Sequence, residues 1–294
     1  MANSIINTKD SAKADVMILQ APYEHTASSR KGTKFGPEKI IECLETKLEF
    51  YDRDFNIETN SKVEIAKSEN VDMDKMSPEV ALEYVVNISK KAIENNQFPI
   101  LLGGEHSVSL GLIKALATKY DAKDVTILQI DAHCDLRDND GDYSDEPSNL
   151  AHSCVMRRSS DLGFNIVQVG IRTYSLEEHD YFANPKNRVT VFEWGKGSHT
   201  VDEIIASIKT KCIYITIDVD GFDPAYMPGT GTPVQGGLEW WFGVNLIKSA
   251  IDKHELIGAD VVEVSPMRDS VLTEYGASQL IYDIISHKFA GILK

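Results

Sequence analysis

Short apolar runs rich in valine and isoleucine alternate along the chain with longer segments of helical period. This alternation is typical of successive βα units that build a mainly parallel sheet covered by helices. The predicted strands occupy residues 14–20, 48–52, 99–103, 125–131, 165–171, 189–194, 212–218 and 256–264. The pattern therefore predicts an α/β fold with a mainly parallel sheet of about eight strands.

Segments of helical period fill the intervals between these strands. They predict helices at residues 78–95, 110–120, 200–211, 238–254 and 273–289. Ser77 and Pro78 form a typical helix start, since serine caps free N–H groups and proline is tolerated in the first turn. No internal repeat or Pro/Ser-rich linker divides the chain, so a single domain over residues 1–294 is predicted. Residues 137–149 are rich in turn formers and are predicted to be a surface loop.

Composition and charge narrow the class of protein. Of the 294 residues, 42% are hydrophobic, which is enough to bury a large core without disulfides. The four cysteines show no CxxC pairing and residues 1–15 lack the apolar core of a secretion signal, so we predict a cytoplasmic location. No run approaches the roughly 18 apolar residues of a membrane span. The formal charge of −15 disfavours nucleic acid and anionic membranes as partners and suits a cationic substrate or a metal ion.

Three polar clusters directly follow predicted strands. GGEHS follows the run PILL, DAHCD follows VTILQI, and DVD ends the strand that contains CIYITI. Ligands of open parallel sheets bind at the carboxyl ends of strands, so these clusters are expected to converge. Alternate side chains of an extended segment point to one side, which groups Asp131, His133 and Asp135, and likewise Asp218 and Asp220. Cys134 then points to the opposite side and is predicted to pack, not to act as a nucleophile.

With His106, these residues supply four carboxylates and two imidazoles, a set too large for one ion but suited to two ions that share aspartates. Carboxylate-rich ligation without thiolate favours Mn²⁺ or a similar hard divalent ion over structural zinc. Two such ions about 3.5–4 Å apart can share a water molecule and lower its pKa toward neutrality. One cluster alone would usually be a turn or a helix cap, but three at three strand ends predict a binuclear metal site.

Beyond these clusters, the sequence resembles the ureohydrolase family, which includes arginase and agmatinase. GGEHS, DAHCD and DVDGFDPAYMPGTGTPVQGGL are similar to the three signature segments of that family. PYEHTASSRKGTKFGPEKI, SNLAHSCVMRR and DVVEVSP are similar to further family segments. The resemblance covers most of the chain. It implies an arginase-like three-layer α/β/α domain and a hydrolase that splits a guanidinium group into urea and an amine.

The resemblance also implies the roles of single residues, with two Mn²⁺ per subunit. One ion would be bound by His106, Asp131, Asp135 and Asp218, and the other by His133, Asp131, Asp218 and Asp220. His152 would be the mobile histidine that carries protons to the departing amine, aided by Asp135, and Glu263 would anchor the guanidinium. Without the resemblance, His152 would be interpreted as a helix-capping residue and Glu263 as a surface residue. A homo-oligomer, trimeric or hexameric, is expected on the same ground.

Within the family, the resemblance favours agmatine over arginine as substrate, with putrescine and urea as products of polyamine biosynthesis. The Asn, Thr and Ser-rich loop of arginases is absent, and SNLAHSCVMRR looks like a segment of microbial agmatinases. The connection from Asp135 to His152 is longer than in that subgroup and carries five acidic residues: Asp138, Asp140, Asp142, Asp145 and Glu146. This loop either lies at the mouth of the site and attracts the cationic substrate, or is a solvated loop without that role.

Two alternatives remain at this point. A hydrolase of guanidinobutyrate or arginine would need a basic residue near the far end of the substrate, for which Arg137, Arg157 and Arg158 are candidates. A non-catalytic homologue that only binds metal is the second alternative. The presence of both His152 and Glu263 argues against it, since neither residue is needed to hold an ion.

Overall fold

Eight parallel strands form the central sheet of the computed structural model, which describes residues 4–293. The strands of the chain are β1 (Val16–Ala21), β2 (Tyr51–Asp52), β3 (Ile57–Glu58), β4 (Ile65–Lys67), β5 (Phe98–Gly103), β6 (Val125–Ile130), β7 (Asn165–Ile171), β8 (Val189–Glu193), β9 (Cys212–Asp218) and β10 (Glu255–Val262). The sheet has the order β4-β1-β5-β10-β9-β6-β7-β8, and β2 pairs with β3 in a separate antiparallel hairpin. Strands β5, β10, β9 and β6 are therefore the four middle strands.

Helices cover both faces of the sheet. They are α1 (Gly36–Thr46), α2 (Pro78–Glu94), α3 (Ser109–Leu116), α4 (Val155–Asp161), α5 (Leu176–Ala183), α6 (Val201–Ser207), α7 (Trp240–Lys253), α8 (Leu272–Lys288) and α9 (Ala290–Leu293). Alternate strand residues point to opposite faces. Ile100 and Leu102 thus pack in one buried cluster with α1, α6, α7 and α8, and Leu101 packs in the other with α2, α3 and α4. This is the expected three-layer α/β/α arrangement.

The strand prediction is confirmed for seven of the eight runs, with ends displaced by at most two residues. The run at 48–52 is wrong as a strand of the main sheet. Only Tyr51–Asp52 is extended, because the Asp52 side chain accepts the N–H groups of Asp54 and Phe55 and turns the chain back into β3. The eighth strand of the sheet is instead β4, an edge strand too short for its alternation to be recognised in the sequence.

All five predicted helices are present, although α3 and α6 end four residues earlier than predicted. Helices α1, α4, α5 and α9 lie outside the five predicted ranges. A signal for α5 exists in the sequence, since Ser175 and Glu178 form a capping box at its start. Residues 137–149 contain neither helix nor strand, as predicted. Within residues 4–293, no helix combines the length and apolar character needed to cross a bilayer.

Candidate active site

The carboxyl ends of three middle strands carry the predicted metal ligands. His106 begins a short 3-10 turn just after β5, and Asp131 directly follows β6. Asp218 is the last residue of β9, and Asp220 lies in the 3-10 turn that follows it. Because parallel strands end at the same edge of the sheet, these residues converge there, as the sequence pattern predicts.

The first group of ligand atoms surrounds the imidazole of His106. Its Nδ1 lies 3.2 Å from Asp131 Oδ2 and 3.0 Å from Asp135 Oδ2. Asp218 Oδ2 is more distant, at 3.7 Å from the same nitrogen. All four residues are buried. His106, Asp131 and Asp135 together could hold one metal ion.

The second group lies beside the first and contains the imidazole of His133. Its Nδ1 is 3.1 Å from Asp220 Oδ2 and 3.5 Å from Asp131 Oδ1. Asp131 thus presents one oxygen to each group, which is the arrangement of a bridging carboxylate. Asp218 turns Oδ2 toward His106 of the first group, while its Oδ1 accepts the backbone N–H of Asp220 at 2.9 Å. Bridging by Asp218 therefore stays a prediction.

The electrostatics of these side chains fit a pair of cations. Burial raises the pKa of Asp218 well above its usual value, and repulsion from Asp220 and Asp131 raises it further. Burial lowers the pKa of His106, but the adjacent carboxylates of Asp131 and Asp135 outweigh this and raise it well above normal. Yet His106 Nδ1 is buried and has no hydrogen-bond partner among the described residues. A buried nitrogen that faces crowded carboxylates in this way is what a metal ligand requires.

The other ring nitrogen of His106 is held from behind. Nε2 lies 2.8 Å from Thr216 Oγ1, and that hydroxyl donates to Asp260 Oδ1 at 2.7 Å. The hydroxyl of Tyr214 also donates to Asp260. Since a hydroxyl that donates to a carboxylate must accept from the imidazole, Nε2 carries the proton and Nδ1 is left to bind metal. The sequence pattern did not predict this series of hydrogen bonds. Its only signal was that Thr216 and Asp260 are polar residues within otherwise apolar strands.

Glu263 lies against the first group of ligands, immediately after β10. It is 8% exposed, so the interpretation as a surface residue is wrong. Its Oε1 accepts the backbone N–H of His106 at 2.8 Å. Burial and the charge of Glu105 raise its pKa well above normal. Glu263 and Asp135 have backbone φ of 62° and 53°, a left-handed conformation that is uncommon outside glycine and is often found at functional sites.

His152 lies across a cavity from the metal ligands. It lines a cavity of about 300 Å³ together with His133 and Asp135. Its Nδ1 is 3.1 Å from Thr26 Oγ1, which also accepts the His152 backbone N–H at 3.0 Å. Because the imidazole contacts Thr26 and no free N–H of the following helix, the capping interpretation of His152 is wrong. A histidine that lines the same cavity as Asp135 is placed to transfer protons.

A model of the Arginase family matches residues 14–286 of the chain. The chain belongs to the arginase family. The N(1)-aminopropylagmatine ureohydrolase of Synechocystis sp. is 34% identical over 94% of this chain and 90% of its own length. The agmatinase of Bacillus subtilis is 32% identical over 93% of this chain and 91% of its own length. The solved agmatine ureohydrolase of Thermoplasma volcanium has a TM-score of 0.81 and 28% identity, covering 98% of this chain and 95% of that one. The protein is a ureohydrolase that acts on guanidino compounds, and its family depends on a binuclear metal centre.

The predicted acidic loop of this ureohydrolase borders the cavity. Arg137 and Tyr143 belong to the loop at 137–149 and line the same cavity as His152. Asp145 and Glu146, near the middle of the loop, are exposed to solvent. The arrangement agrees with the expected place of the loop at the mouth of the site, while its role in substrate binding stays a prediction.

Three of the five acidic residues in the loop already have partners. Asp142 pairs with the Arg137 guanidinium, and Asp138 pairs with Arg158 at 2.7 Å. Asp140 is buried and accepts a backbone N–H of its own loop at 2.6 Å. These carboxylates hold the loop in place, so they cannot all act as free charges toward a substrate.

Arg172 fixes the long signature segment of this arginase-family chain and was missed by sequence reasoning. Its Nη2 donates to the carbonyl oxygens of Asp220 and Val234, each at 2.6 Å. Nη1 donates to Gly170 O at 2.9 Å and Gly221 O at 3.3 Å. The rigid fork of donors therefore ties both ends of the segment to β7. Asp220, a predicted ligand, depends on this support.

Proposed function

We propose that this ureohydrolase cleaves agmatine to putrescine and urea at a centre of two Mn²⁺ ions. The observation that carries the proposal is Asp131, whose two oxygens face two separate groups of ligands. Oxygen-rich ligation with one imidazole in each group suits manganese. Divalent ions bound there would supply a nucleophile from water at neutral pH. Relatives named agmatinase and aminopropylagmatine ureohydrolase support the substrate class.

Glu263 is proposed to bind the guanidinium group of the substrate. Its Oε1 is engaged by the His106 N–H, which fixes the carboxylate against the ligand cluster. A guanidinium presents parallel N–H donors that match a carboxylate. The raised pKa of Glu263, caused by burial and Glu105, is expected to fall when this cation approaches. The carboxylate would thus bind a cation more strongly than a neutral analogue.

His152 and Asp135 are proposed to deliver the proton that the leaving amine needs. Both line one cavity, and Glu263 contacts the backbone of the metal ligand His106 beside it. As the carbon–nitrogen bond breaks, the nitrogen must gain a proton to leave as an amine. Proton transfer by a positioned side chain typically contributes about 10²- to 10⁴-fold in rate.

The basic residues near the cavity bear on the choice between agmatine and a guanidino acid. Arg137 lines the cavity, which is the observation in favour of an acid such as guanidinobutyrate. Its guanidinium, however, is bonded to Asp142 and donates to the Tyr143 hydroxyl at 2.9 Å. Arg157 and Arg158 both pair with the two carboxylates of Asp138 and Asp161. The charges of all three are already balanced, which supports a substrate with a cationic tail.

A longer polyamine such as N(1)-aminopropylagmatine is the second candidate. A neighbouring cavity of about 460 Å³ shares Ser28 and Tyr143 with the first. Glu79 and Glu146 lie on its wall, so a second amine would meet negative charge there.

We also propose that the enzyme acts in the cytoplasm as a homo-oligomer, without nucleic acid or membrane partners.

A urea-release assay tests the proposal. The manganese-loaded protein is given agmatine, N(1)-aminopropylagmatine, guanidinobutyrate, arginine and guanidine in parallel. We expect the highest kcat/KM for agmatine. A higher kcat/KM for aminopropylagmatine would make the longer polyamine the proposed substrate. A preference for guanidinobutyrate would reject the proposal that the substrate has a cationic tail. No urea from any of these compounds would reject the proposed reaction.

A further inference from the structure

A buried carboxylate that is not a predicted ligand lies between the metal site and His152. Glu105 is fully buried and directly precedes His106. Its Oε2 accepts the backbone N–H groups of His25 and Thr26 at 2.6 and 2.7 Å. Its Oε1 accepts the hydroxyls of Ser107 and Thr26 at 2.6 and 2.8 Å. With donors directed at both oxygens, Glu105 acts purely as an acceptor.

The close approach of the two segments depends on a glycine. A Cβ atom on Gly104 would lie 2.0 Å from the carbonyl oxygen of Tyr23. Only glycine at this position lets the segment containing Thr26 reach the Glu105 carboxylate. The backbone N–H of Glu105 in turn donates to Tyr23 O at 2.9 Å. Thr26 is therefore held rigidly, and its hydroxyl has a fixed partner.

The hydrogen count at Thr26 determines where the proton of His152 lies. A hydroxyl has one hydrogen, and that of Thr26 is given to Glu105. Thr26 Oγ1 can then only accept from its two other neighbours, the backbone N–H and the Nδ1 of His152. Nδ1 must carry a hydrogen to complete the contact. In the neutral imidazole this leaves Nε2 unprotonated, and Nε2 has no hydrogen-bond partner within the described part of the chain.

We propose that Thr26, backed by Glu105, is a positioning residue that holds His152 in the Nδ1–H tautomer. The inference rests on the proposed function, in which His152 carries a proton. Nε2 takes a proton from the attacking water, while Nδ1–H stays bonded to Thr26. Nε2 then gives that proton to the nitrogen of the breaking carbon–nitrogen bond, so the imidazole ends neutral as it began. Thr26 itself exchanges no proton and contacts no reacting atom.

The first test compares Thr26→Val with Thr26→Ser. Valine keeps the shape of threonine but removes the hydroxyl, whereas serine keeps the hydroxyl. We expect kcat for urea release to fall by about 10-fold or more in Thr26→Val, up to the roughly 10²- to 10⁴-fold that a proton-transfer group typically contributes. KM and bound metal should be unchanged, and Thr26→Ser should recover most of the turnover. Thr190→Val, on the exposed edge strand β8, is the matched control and should behave as the parent.

A double-mutant cycle separates positioning from a structural role. If Thr26 acts through His152, then Thr26→Val should have almost no effect on kcat once His152 is alanine. An equal loss of turnover in both backgrounds would overturn the proposal. So would full activity of Thr26→Val in the parent background.

A spectroscopic measurement decides the tautomer without relying on turnover. The ring ¹⁵N chemical shifts of His152 are recorded in the full-length protein without paramagnetic metal. The signals of His152 are identified as those that disappear in His152→Ala. We expect a protonated Nδ1 and an unprotonated Nε2, and a mixture of tautomers in Thr26→Val. A protonated Nε2 in the parent would overturn the inference even if urea release were confirmed. Conversely, absence of urea release with the expected spectrum would reject only the proposed function.

Discussion

Asp131 offers its two carboxylate oxygens to different histidines, one from each group of ligands. Burial raises the pKa of this carboxyl, but attraction to the adjacent imidazoles of His106 and His133 outweighs burial and lowers it. Asp131 is therefore the acidic residue of the site best prepared to stay ionised. The removal of one of its charged oxygens should affect both ions.

Asp131→Asn should lose bound metal and urea release together, because a neutral amide cannot bridge two cations. Metal content after dialysis is measured beside kcat. His152→Ala is the control, since it should keep both ions while kcat falls by about 10²- to 10⁴-fold. If Asp131→Asn kept its full metal content and turnover, Asp131 would not be a ligand of the metal centre.

The pKa values of the ligands predict how metal binding depends on pH. Burial and the neighbouring acids raise the pKa of Asp218, and adjacent carboxylates raise those of His106 and His133 against the effect of burial. Groups with raised pKa values keep their protons to higher pH, and an incoming metal must displace them. Affinity should therefore weaken steadily as the pH falls toward the ordinary pKa of histidine, ~6.5, because protons compete more strongly. Competition with a chelator of known affinity at each pH measures this, and a flat profile would contradict it.

The positions of several ligands could be predicted from the secondary-structure elements, because these ligands directly follow buried strands. Asp131 and Asp218 can be read from the point where an apolar run stops. Arg172 and Asp260 could not be read this way, since their partners lie 48 and 44 residues away in sequence. Such contacts depend on strand order, and the sequence pattern predicts strands without their order.

The edge strand β4 and the hairpin of β2 and β3 also show what the sequence pattern cannot predict. β4 has three residues, so its two-residue period has no length over which to repeat. The run at 48–52 has the composition of a strand, but the side chain of Asp52 ends it by capturing two backbone N–H groups. Local side-chain bonding thus overrides an apolar pattern, which describes only burial.

Arg172→Lys should loosen the segment at 218–238. A lysine ammonium cannot reproduce the planar fork that bonds the carbonyls of Asp220, Gly221 and Val234. We expect the free energy of unfolding to fall by about 2–4 kcal/mol, since buried carbonyls lose their partners. Denaturant unfolding measures the change, with the exposed Arg53→Lys as control. Equal stability of the two variants would show that the carbonyls find other donors.

At the scale of the whole molecule, the net charge of −15 favours cations, and the acidic loop concentrates part of it near the cavity. Three carboxylates of the loop are engaged in holding it, whereas the exposed Asp145 and Glu146 form no ion pair with the described residues. Long-range attraction acts equally on bound substrate and transition state. It should therefore change KM and leave kcat nearly constant.

Asp145→Asn combined with Glu146→Gln should raise KM for agmatine at low salt, with kcat nearly unchanged. The difference should shrink at higher salt, because exposed charges are screened within about 10 Å at 0.1 M ionic strength. Steady-state kinetics at two salt concentrations make the comparison. Asp202→Asn with Asp252→Asn is a charge-matched control on exposed helix positions. An unchanged KM at low salt would make the loop a structural element only.

The ligands come from three strands in the middle of the sheet, contributed by distant parts of the chain. Ions bound there would act as cross-links between these strands, and only the folded chain presents the complete set of ligands. Binding to the native state alone stabilises it by an amount that grows with free metal concentration. Heat tolerance should thus be set by metal supply: the melting temperature should rise with added Mn²⁺ and drop on chelation, even in a His152→Ala variant that has lost its turnover.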